Sequence, residues 1–138
     1  LVATGETLAG IEAYREALRR RVDQPGSWVK LGNALTREGE LVSAEEAFRQ
    51  ALHHDPQLAA AHNGLGSVLS QRGQTDSATE ALTRAAELDD ADPNPLMNLA
   101  LLHESQGAVE QARAAWRAAL ERDPSALIAV ERLARLGS

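Results

Sequence analysis

Two histidines and an aspartate in this sequence are the residues whose types and spacing first suggest metal binding. His53, His54 and Asp55 are consecutive and could supply imidazole and carboxylate ligands. Adjacent residues of a helix point in different directions, however, and zinc sites usually take ligands one helical turn apart or from separate elements. Imidazoles are also favoured near a helix C-terminus by the helix dipole. The pattern therefore predicts an ordinary helix end and no metal site.

Two charged clusters could bind ions or phosphate. Arg19–Arg21 could contact an anion, but the chain carries a formal net charge of −6, which opposes binding to nucleic acid or anionic lipid. Basic residues are expected at a helix C-terminus in any case, so we interpret the arginines as a solvated helix end. Asp89, Asp90 and Asp92 lack the spacing and the closing glutamate of a calcium loop.

No motif for catalysis accompanies these clusters. The strings GxxxxGK[ST], HExxH and GxSxG do not occur, and the chain has no cysteine that could act as a nucleophile or bind a metal as thiolate. No apolar run approaches the roughly 20 residues that span a bilayer. The sequence therefore predicts a protein that is not an enzyme, needs no cofactor and does not insert into membranes. Its composition suits the cytoplasm and the periplasm equally.

An internal repeat of 34 residues organises the chain and must position any binding residues. When the sequence is displaced by 34, residues of similar size coincide in five columns: Leu31, Leu65 and Leu99; Gly32, Gly66 and Ala100; Ala44, Ala78 and Ala112; Phe48, Leu82 and Trp116; and Ala51, Ala85 and Ala119. Small residues allow two helices to cross closely, and large apolar residues fill the space between them. The segments 25–58, 59–92 and 93–126 are therefore three consecutive copies, each predicted to fold as two helices joined by short turns.

Residues that favour helix ends recur with the same period. A left-handed helix-ending residue is predicted at the glycines in register: Gly39, Gly73 and Gly107. Capping boxes are predicted near the start of the second helix by Ser43 with Glu46 and by Ser77 with Glu80. The second helix is predicted to end at Asp55–Pro56 and at Asp123–Pro124, because a residue before proline avoids the α conformation.

The first copy resembles the tetratricopeptide repeat family. The residues that match the signature of that family are Trp28, Leu31, Gly32, Leu35, Ala44, Phe48, Ala51 and Pro56. The second copy departs from it at His62 and Asp90, and the third at Leu96, Ala100 and His103. The resemblance implies an all-α fold, an α-solenoid of antiparallel helical hairpins wound into a right-handed superhelix, and it implies a protein-binding function.

The two ends fit the repeat as half-copies within a single domain, 1–138. Residues 1–24 align with the second helix of a preceding copy, and residues 127–138 with a closing first helix that has a polar outer face. In this capping helix, the core columns contain Val130, Leu133 and Ala134. The N-terminal helix lacks its partner, so an uncovered apolar edge is predicted at Leu1, Val2, Leu8 and Ile11.

A concave groove lined by the first helices is the predicted binding surface. Residues one step from the buried columns face it: Lys30, Asn33, Arg37, Asn63, Ser67, Gln71, Asn94, Met97, Asn98, Leu101, Glu104 and Arg132. Asparagine offers both a donor and an acceptor, so Asn33, Asn63 and Asn98 are the candidates for pairing with the backbone of an extended peptide. Met97 is the candidate for an adaptable apolar contact. Exposed amides that only solvate the helix face are the alternative interpretation of this row.

Some members of the family hold the C-terminal carboxylate of chaperones with a clamp of basic and asparagine side chains. The corresponding positions here are Val29, Asn33, Gly64, Asn94 and Asn98, of which only Asn33 agrees. The sequence therefore disfavours binding of chaperone tails. Two functional hypotheses follow. The first is a scaffold that binds an extended peptide or partner segment in the groove, and the second is a homo-oligomerising structural module that stacks through its N-terminal edge.

Overall fold

The computed structural model describes residues 11, 12, 15, 16, 19 and 24–137, and every regular element in these residues is helical. From residue 24 onward there are seven helices: α1 (Pro25–Arg37), α2 (Leu41–His54), α3 (Ala59–Gln71), α4 (Thr75–Leu88), α5 (Asn94–Ser105), α6 (Val109–Arg122) and α7 (Leu127–Arg135). The described residues between 11 and 19 are helical as well. The predicted all-α fold is confirmed.

The helices form a stack of hairpins. α1 packs on α2, α3 on α4 and α5 on α6, and each second helix also packs on the first helix of the next hairpin. The first helices contact each other directly, α1 with α3 and α3 with α5, whereas among these seven helices no contact of similar extent joins α2 to α4 or α4 to α6. Since elements approach more closely on the inside of a curved stack, the first helices line its concave side.

The turn inside each hairpin is built around a glycine with positive φ. Gly39, Gly73 and Gly107 have φ of 78°, 77° and 72°, as predicted. The amide after each glycine donates to a carbonyl five residues earlier, for example Glu40 N to Leu35 O at 2.9 Å, which closes the first helix. The same residue then precedes the second helix, so the connection is very short.

The predicted capping boxes are wrong. Helices α2 and α4 begin at Leu41 and Thr75, so Ser43 and Ser77 lie inside the first turn. The residues that precede the helices, Glu40 and Gln74, make no side-chain capping bond. The second helix begins directly after the glycine turn, and its first residue therefore lies two residues before the serine.

An aspartate ends the second helix of each hairpin, which is α2, α4 or α6. The helices end at His54, Leu88 and Arg122, and the next residue, Asp55, Asp89 or Asp123, is extended. Each aspartate Oδ1 accepts the backbone N–H two residues later, at 3.0 Å, 3.1 Å and 3.0 Å respectively. The second copy has Asp90 where the others have proline, yet its helix ends at the equivalent place. The aspartate turn is therefore sufficient.

Arg122 supports this proline-free turn from the next hairpin. Its guanidinium donates to the carbonyl oxygens of Asp89 at 2.9 Å, Asp92 at 3.0 Å and Ala86 at 3.0 Å. The last of these lies at the C-terminal end of α4, where cations are favoured by the helix dipole. Arg122 thus joins the second and third hairpins through backbone groups.

The small-residue columns are explained by close helix crossings. The ring of Phe48 on α2 is fully buried between Gly32 on α1 and Gly64 on α3. A Cβ atom at Gly32 would lie 2.7 Å from this ring, and one at Gly64 would lie 2.3 Å from it. Leu82 packs against Gly66 in the same manner in the second hairpin. Glycine at these positions lets α1 and α3 approach the buried ring.

Both chain ends differ from the prediction. Ile11 is buried and belongs to the main core cluster, so it does not form part of an uncovered edge. Leu1, Val2 and Leu8 lie outside the described residues. At the other end, Leu133 is buried as predicted, but Val130 is 48% exposed and Ala134 is also exposed. In the other copies these columns face the second helix of the same hairpin, whereas α7 packs in the described residues on α6, the second helix of the preceding hairpin.

Candidate functional site

The predicted groove residues lie on the four first helices, and none is fully buried. Lys30, Asn33 and Arg37 are exposed on α1. On α3, Asn63 and Ser67 are half-buried and Gln71 is exposed. On α5 and α7, half-buried side chains alternate with exposed ones: Asn94 and Leu101 are exposed, while Met97, Asn98, Glu104 and Arg132 are half-buried.

An amide pair joins two repeats at the centre of this row. Asn98 Nδ2 on α5 donates to Asn63 Oδ1 on α3 at 2.9 Å. The bond fixes the orientation of both amides and uses one half of each. Asn63 retains its NH₂ group as a donor, and Asn98 retains its carbonyl oxygen as an acceptor. The pair therefore presents a donor and an acceptor side by side, which matches the alternating groups of an extended backbone.

A depression of about 180 Å³ opens beside the amide pair, between α3 and α5. Its polar lining consists of Ser67, Ser70, Gln71, Asn98 and Ser105. Its apolar lining consists of Leu82, Leu101 and Leu102. All eight side chains are uncharged. The structure thus brings Ser67, Gln71, Asn98 and Leu101, four of the residues predicted from sequence, around one small neutral pocket.

Sequence reasoning missed Ser70 and Ser105 in this pocket. Ser105 falls 34 residues after Gln71 and 68 after Arg37, so the repeat register itself indicated that it faces the groove. The neighbouring column contains Thr36, Ser70 and Glu104, and of these three only Glu104 is among the predicted groove residues. The buried walls, Leu82 and Leu102, are core residues by pattern, and only their position at the seam exposes them to the pocket.

Glu104 is occupied by contacts within the protein. Its carboxylate accepts Trp116 Nε1 at 2.6 Å and Arg132 Nη1 at 3.1 Å. Trp116 is fully buried, so its indole N–H needs such a partner. The three residues connect α5, α6 and α7 at the C-terminal end of the groove. Glu104 and Arg132 therefore neutralise each other, and their first role is to hold the last helix in place.

Two further predicted residues are engaged locally. The side chain of Met97 packs against the smaller core cluster around Trp116, so much of its surface is covered. Asn94 begins α5, and its Nδ2 donates to Asp92 Oδ1 at 2.9 Å. The geometry therefore leaves the amide pair and the neutral pocket as the central part of the groove, with Met97 and Asn94 at its margin.

The positive end of the groove lies on α1. Lys30 and Arg37 are exposed, and neither forms an ion pair with a residue that the structure describes. Asn33 lies between them along the same helix. The groove residues are therefore cationic on α1 and uncharged on α3. On α5 the one charged groove residue, Glu104, is paired with Arg132 of α7.

The residue at one chaperone-clamp position is explained by packing. Gly64 is one of the five positions that correspond to the clamp, and a Cβ atom there would lie 2.3 Å from the ring of the buried Phe48. Any side chain at this position would force the ring or the helix to move. At this one position, the helix crossing therefore explains why no clamp side chain is present.

The convex side carries its own ion pairs. Glu45 on α2 accepts hydrogen bonds from Arg49, at 2.9 Å, and from Arg72 at the end of α3. Burial acts to raise the pKa of the Glu45 carboxyl, but the hydrogen bonds and charges of Arg49 and Arg72 outweigh it, so the pKa lies below its ordinary value. This carboxylate links consecutive hairpins on the face opposite the groove.

Neither a metal centre nor a spanning segment is found in the described part of the chain. His53 and His54 are exposed and contact each other edge to face, with ring centroids 5.3 Å apart. Among residues 24–137 and the described residues before them, no three histidine, aspartate or glutamate side chains are grouped to hold a metal ion. None of the helices described is both long and apolar enough to cross a bilayer.

Family models and solved structures give a consistent comparison. Two models, both described as tetratricopeptide repeat, match the chain, one over residues 35–94 and the other over residues 1–59 and 97–137. A thermophilic tetratricopeptide repeat protein of Thermus thermophilus is 27% identical, with a TM-score of 0.84, over 96% of this chain and 73% of that one. No curated protein sequence gives a significant match.

Two other solved structures share the fold at lower identity. MamA is 23% identical, with a TM-score of 0.86, over 96% of this chain and 77% of that one. The first repeat domain of Spaghetti, solved with a bound HSP90 peptide, is 15% identical, with a TM-score of 0.77, over 83% of this chain and 90% of that one. At these identities the similarity supports the helical repeat architecture alone.

Proposed function

Since the chain belongs to the tetratricopeptide repeat family, we propose that it is a scaffold whose concave groove binds an extended segment of a partner protein. Repeats of this family commonly mediate protein–protein interactions and generally lack enzymatic activity. The observation that carries the proposal is the Asn63–Asn98 amide pair, which spans two hairpins at the centre of the groove. A repeat domain of similar fold that holds a peptide gives the proposal a structural precedent.

The amide pair suits a peptide backbone because of its fixed polarity. With Asn98 Nδ2 bonded to Asn63 Oδ1, the remaining donor and acceptor cannot exchange places without breaking that bond. A preformed pair loses less side-chain entropy on binding than two free amides would. The extended segment would therefore bind in one direction.

The charge distribution adds a second element of recognition. Lys30 and Arg37 are cations without an ion pair in the described structure, whereas Glu104 is neutralised by Arg132. An acidic residue in the partner segment would be attracted to the α1 end of the groove, chiefly through faster association. The chaperone-type carboxylate clamp is absent, so recognition would not depend on a C-terminal carboxylate.

An affinity pull-down from an extract of the source cells, analysed by mass spectrometry, tests the groove. The wild-type chain is compared with the variant Asn33→Ala/Asn63→Ala/Asn98→Ala. Removing both members of the amide pair avoids leaving an unsatisfied partner behind. The matched control is Gln50→Ala/Thr83→Ala/Gln111→Ala, which removes one exposed, uncharged polar side chain from each of the second helices.

The proposal expects a partner that the wild type and the control retain and the asparagine variant loses. Equal recovery by all three proteins would show that the binding surface lies elsewhere. Circular dichroism spectra and melting curves of the variants confirm that the helices are intact, so a lost partner reflects the groove.

We propose self-association as the second candidate function, on the strength of the exposed apolar residues of α7. Leu127 is 67% exposed, Ile128 42% and Val130 48%, all within one short helix. The hypothesis of stacking through the N-terminal edge loses one of its four residues, since Ile11 is buried. Leu127 and Val130 are three residues apart and share a face of α7, and exposed apolar side chains that share a face are typical of a contact surface.

Sedimentation equilibrium over a range of protein concentrations tests this candidate. If α7 drives association, the mass rises with concentration for the wild type and stays monomeric for Leu127→Glu/Val130→Glu. Val42→Glu is the matched control, because Val42 is 66% exposed on a second helix away from α7. A monomeric wild type at all concentrations would exclude the candidate.

A further inference from the structure

The neutral pocket between α3 and α5 has the size of a site for one side chain. Its volume of about 180 Å³ is below the roughly 300–1,000 Å³ of pockets that bind cofactors or drug-sized ligands. It is open to the groove beside the amide pair, since Asn98 lines both. A side chain that branches from a segment held by Asn98 could therefore enter it.

The chemistry of the walls restricts which side chain fits. Leu101 and Leu102 supply an apolar surface, and Ser67, Gln71 and Ser105 supply an uncharged polar rim. The side chains on the rim already have local partners: Gln71 Nε2 donates to Ser67 Oγ at 3.5 Å, and Ser105 Oγ donates to Leu102 O at 2.6 Å. No lining residue carries a charge that could compensate a buried ammonium or carboxylate, and an uncompensated charge is costly to desolvate.

We infer that the groove selects a partner segment with an uncharged aliphatic side chain, of about the size of leucine or methionine, which enters the pocket between α3 and α5. This inference rests on the proposed groove function and adds its specificity. The amide pair would bind the backbone of the segment, and the pocket would bind the adjacent side chain. A segment with a charged residue at that position would bind more weakly, because no residue that lines the pocket carries a compensating charge.

Selection from a phage-displayed library of random dodecapeptides tests the inference even though the partner is unidentified. The immobilised wild-type chain should enrich peptides that share one aliphatic position. Synthetic versions in which that residue is replaced by aspartate or lysine should bind roughly tenfold more weakly or worse, since a tenfold change corresponds to about 1.4 kcal/mol.

A change of charge in the pocket makes the test specific. Ser67→Glu places a carboxylate on the α3 wall and Ser105→Glu places one on the α5 wall, so either variant should shift the selected residue to lysine or arginine. Ser77→Glu is the matched control, because Ser77 is an exposed serine on the second helix α4. Peptides selected by Ser77→Glu should share the same aliphatic position as those selected by the wild type. If one of the two glutamate variants misfolds, circular dichroism would reveal it and the other variant would still test the inference.

The outcomes separate this inference from the proposed function. Enriched peptides whose binding is lost in the Asn33→Ala/Asn63→Ala/Asn98→Ala variant, but which show no aliphatic position or no switch in the glutamate variants, would overturn the pocket and leave the groove. Peptides that bind the asparagine variant equally well, or no enrichment by the wild type at all, would overturn both.

Discussion

Replacement of Gly64 by alanine is the sharpest test of the packing that brings α1, α2 and α3 together. The added Cβ would lie 2.3 Å from Phe48 Cε1 and 2.4 Å from Cζ. Carbon atoms in contact are normally about 3.5–4.0 Å apart, so the overlap exceeds 1 Å. The ring cannot withdraw toward α1, because the backbone of Gly32 occupies the other side.

The expected magnitude follows from two opposing terms. Alanine in a helix interior is favoured over glycine by up to about 1 kcal/mol. Overpacking a well-filled core typically costs about 1–3 kcal/mol and more when the neighbours cannot move. Phe48 is fully buried, so we expect the clash to prevail and the free energy of unfolding to fall by about 1–2 kcal/mol. For a chain of this length that corresponds to a melting temperature roughly 4–8 °C lower.

Urea unfolding followed by circular dichroism measures this change against a matched control. Gly26→Ala is also a glycine-to-alanine change in a first helix, but nothing lies within 4 Å of its Cβ, so its stability should be equal to or slightly above that of the wild type. The double variant Phe48→Leu/Gly64→Ala should show a favourable coupling, because the smaller side chain relieves the overlap. The reasoning is refuted if Gly64→Ala and Gly26→Ala have the same stability.

Three other changes test separate contacts. Arg122→Met removes hydrogen bonds to three backbone carbonyls and should lower the free energy of unfolding by about 1–3 kcal/mol in thermal melts, whereas Arg135→Met, at an exposed arginine of α7, should have little effect. Glu45→Gln should destabilise the protein at about pH 7, and the difference from the wild type should shrink as the pH is lowered, in urea titrations at a series of pH values. The reason is that a lowered carboxyl pKa stabilises the fold above the unfolded-state pKa, and this contribution is lost as the pH falls through the folded-state pKa. Ala78→Leu should overpack the second hairpin and cost about 1–3 kcal/mol, since Ala78 has no exposed surface; an unchanged melting temperature would contradict its place in the core.

The repeat register could be predicted from sequence because each column has a local physical cause. The turn glycines need positive φ, and Gly39, Gly73 and Gly107 have it. Helix starts were harder to predict. Ser43 and Ser77 have the spacing of capping boxes, but the preceding glycine turn already sets the start of the helix upstream. Short polar patterns near a helix end are ambiguous by a few residues, because several residues can serve as the cap.

The ends of the chain could not be predicted from column positions alone. A residue in a core column is buried only if the neighbouring helix is packed on it, and Val130 and Ala134 lack that neighbour in the described structure. Conversely, Ile11 is buried in the main core, although the column pattern predicts an uncovered edge for its helix. Burial in a repeat protein depends on the contacts between units as well as on the sequence of each unit.

The sequence by itself determined the helical repeat, its period and the glycine turns, because all of these follow from local conformational preference and periodic size. The row of residues that face the groove stays a prediction from the same register. Tertiary structure alone decided how those groove residues combine. It paired Asn63 with Asn98 across two hairpins, placed Ser105 beside Ser67 in a neutral pocket, and turned Glu104 inward to Trp116 and Arg132. Such pairings depend on the distance and rotation between successive hairpins, and these are set by the fit of buried side chains such as Phe48 against Gly64.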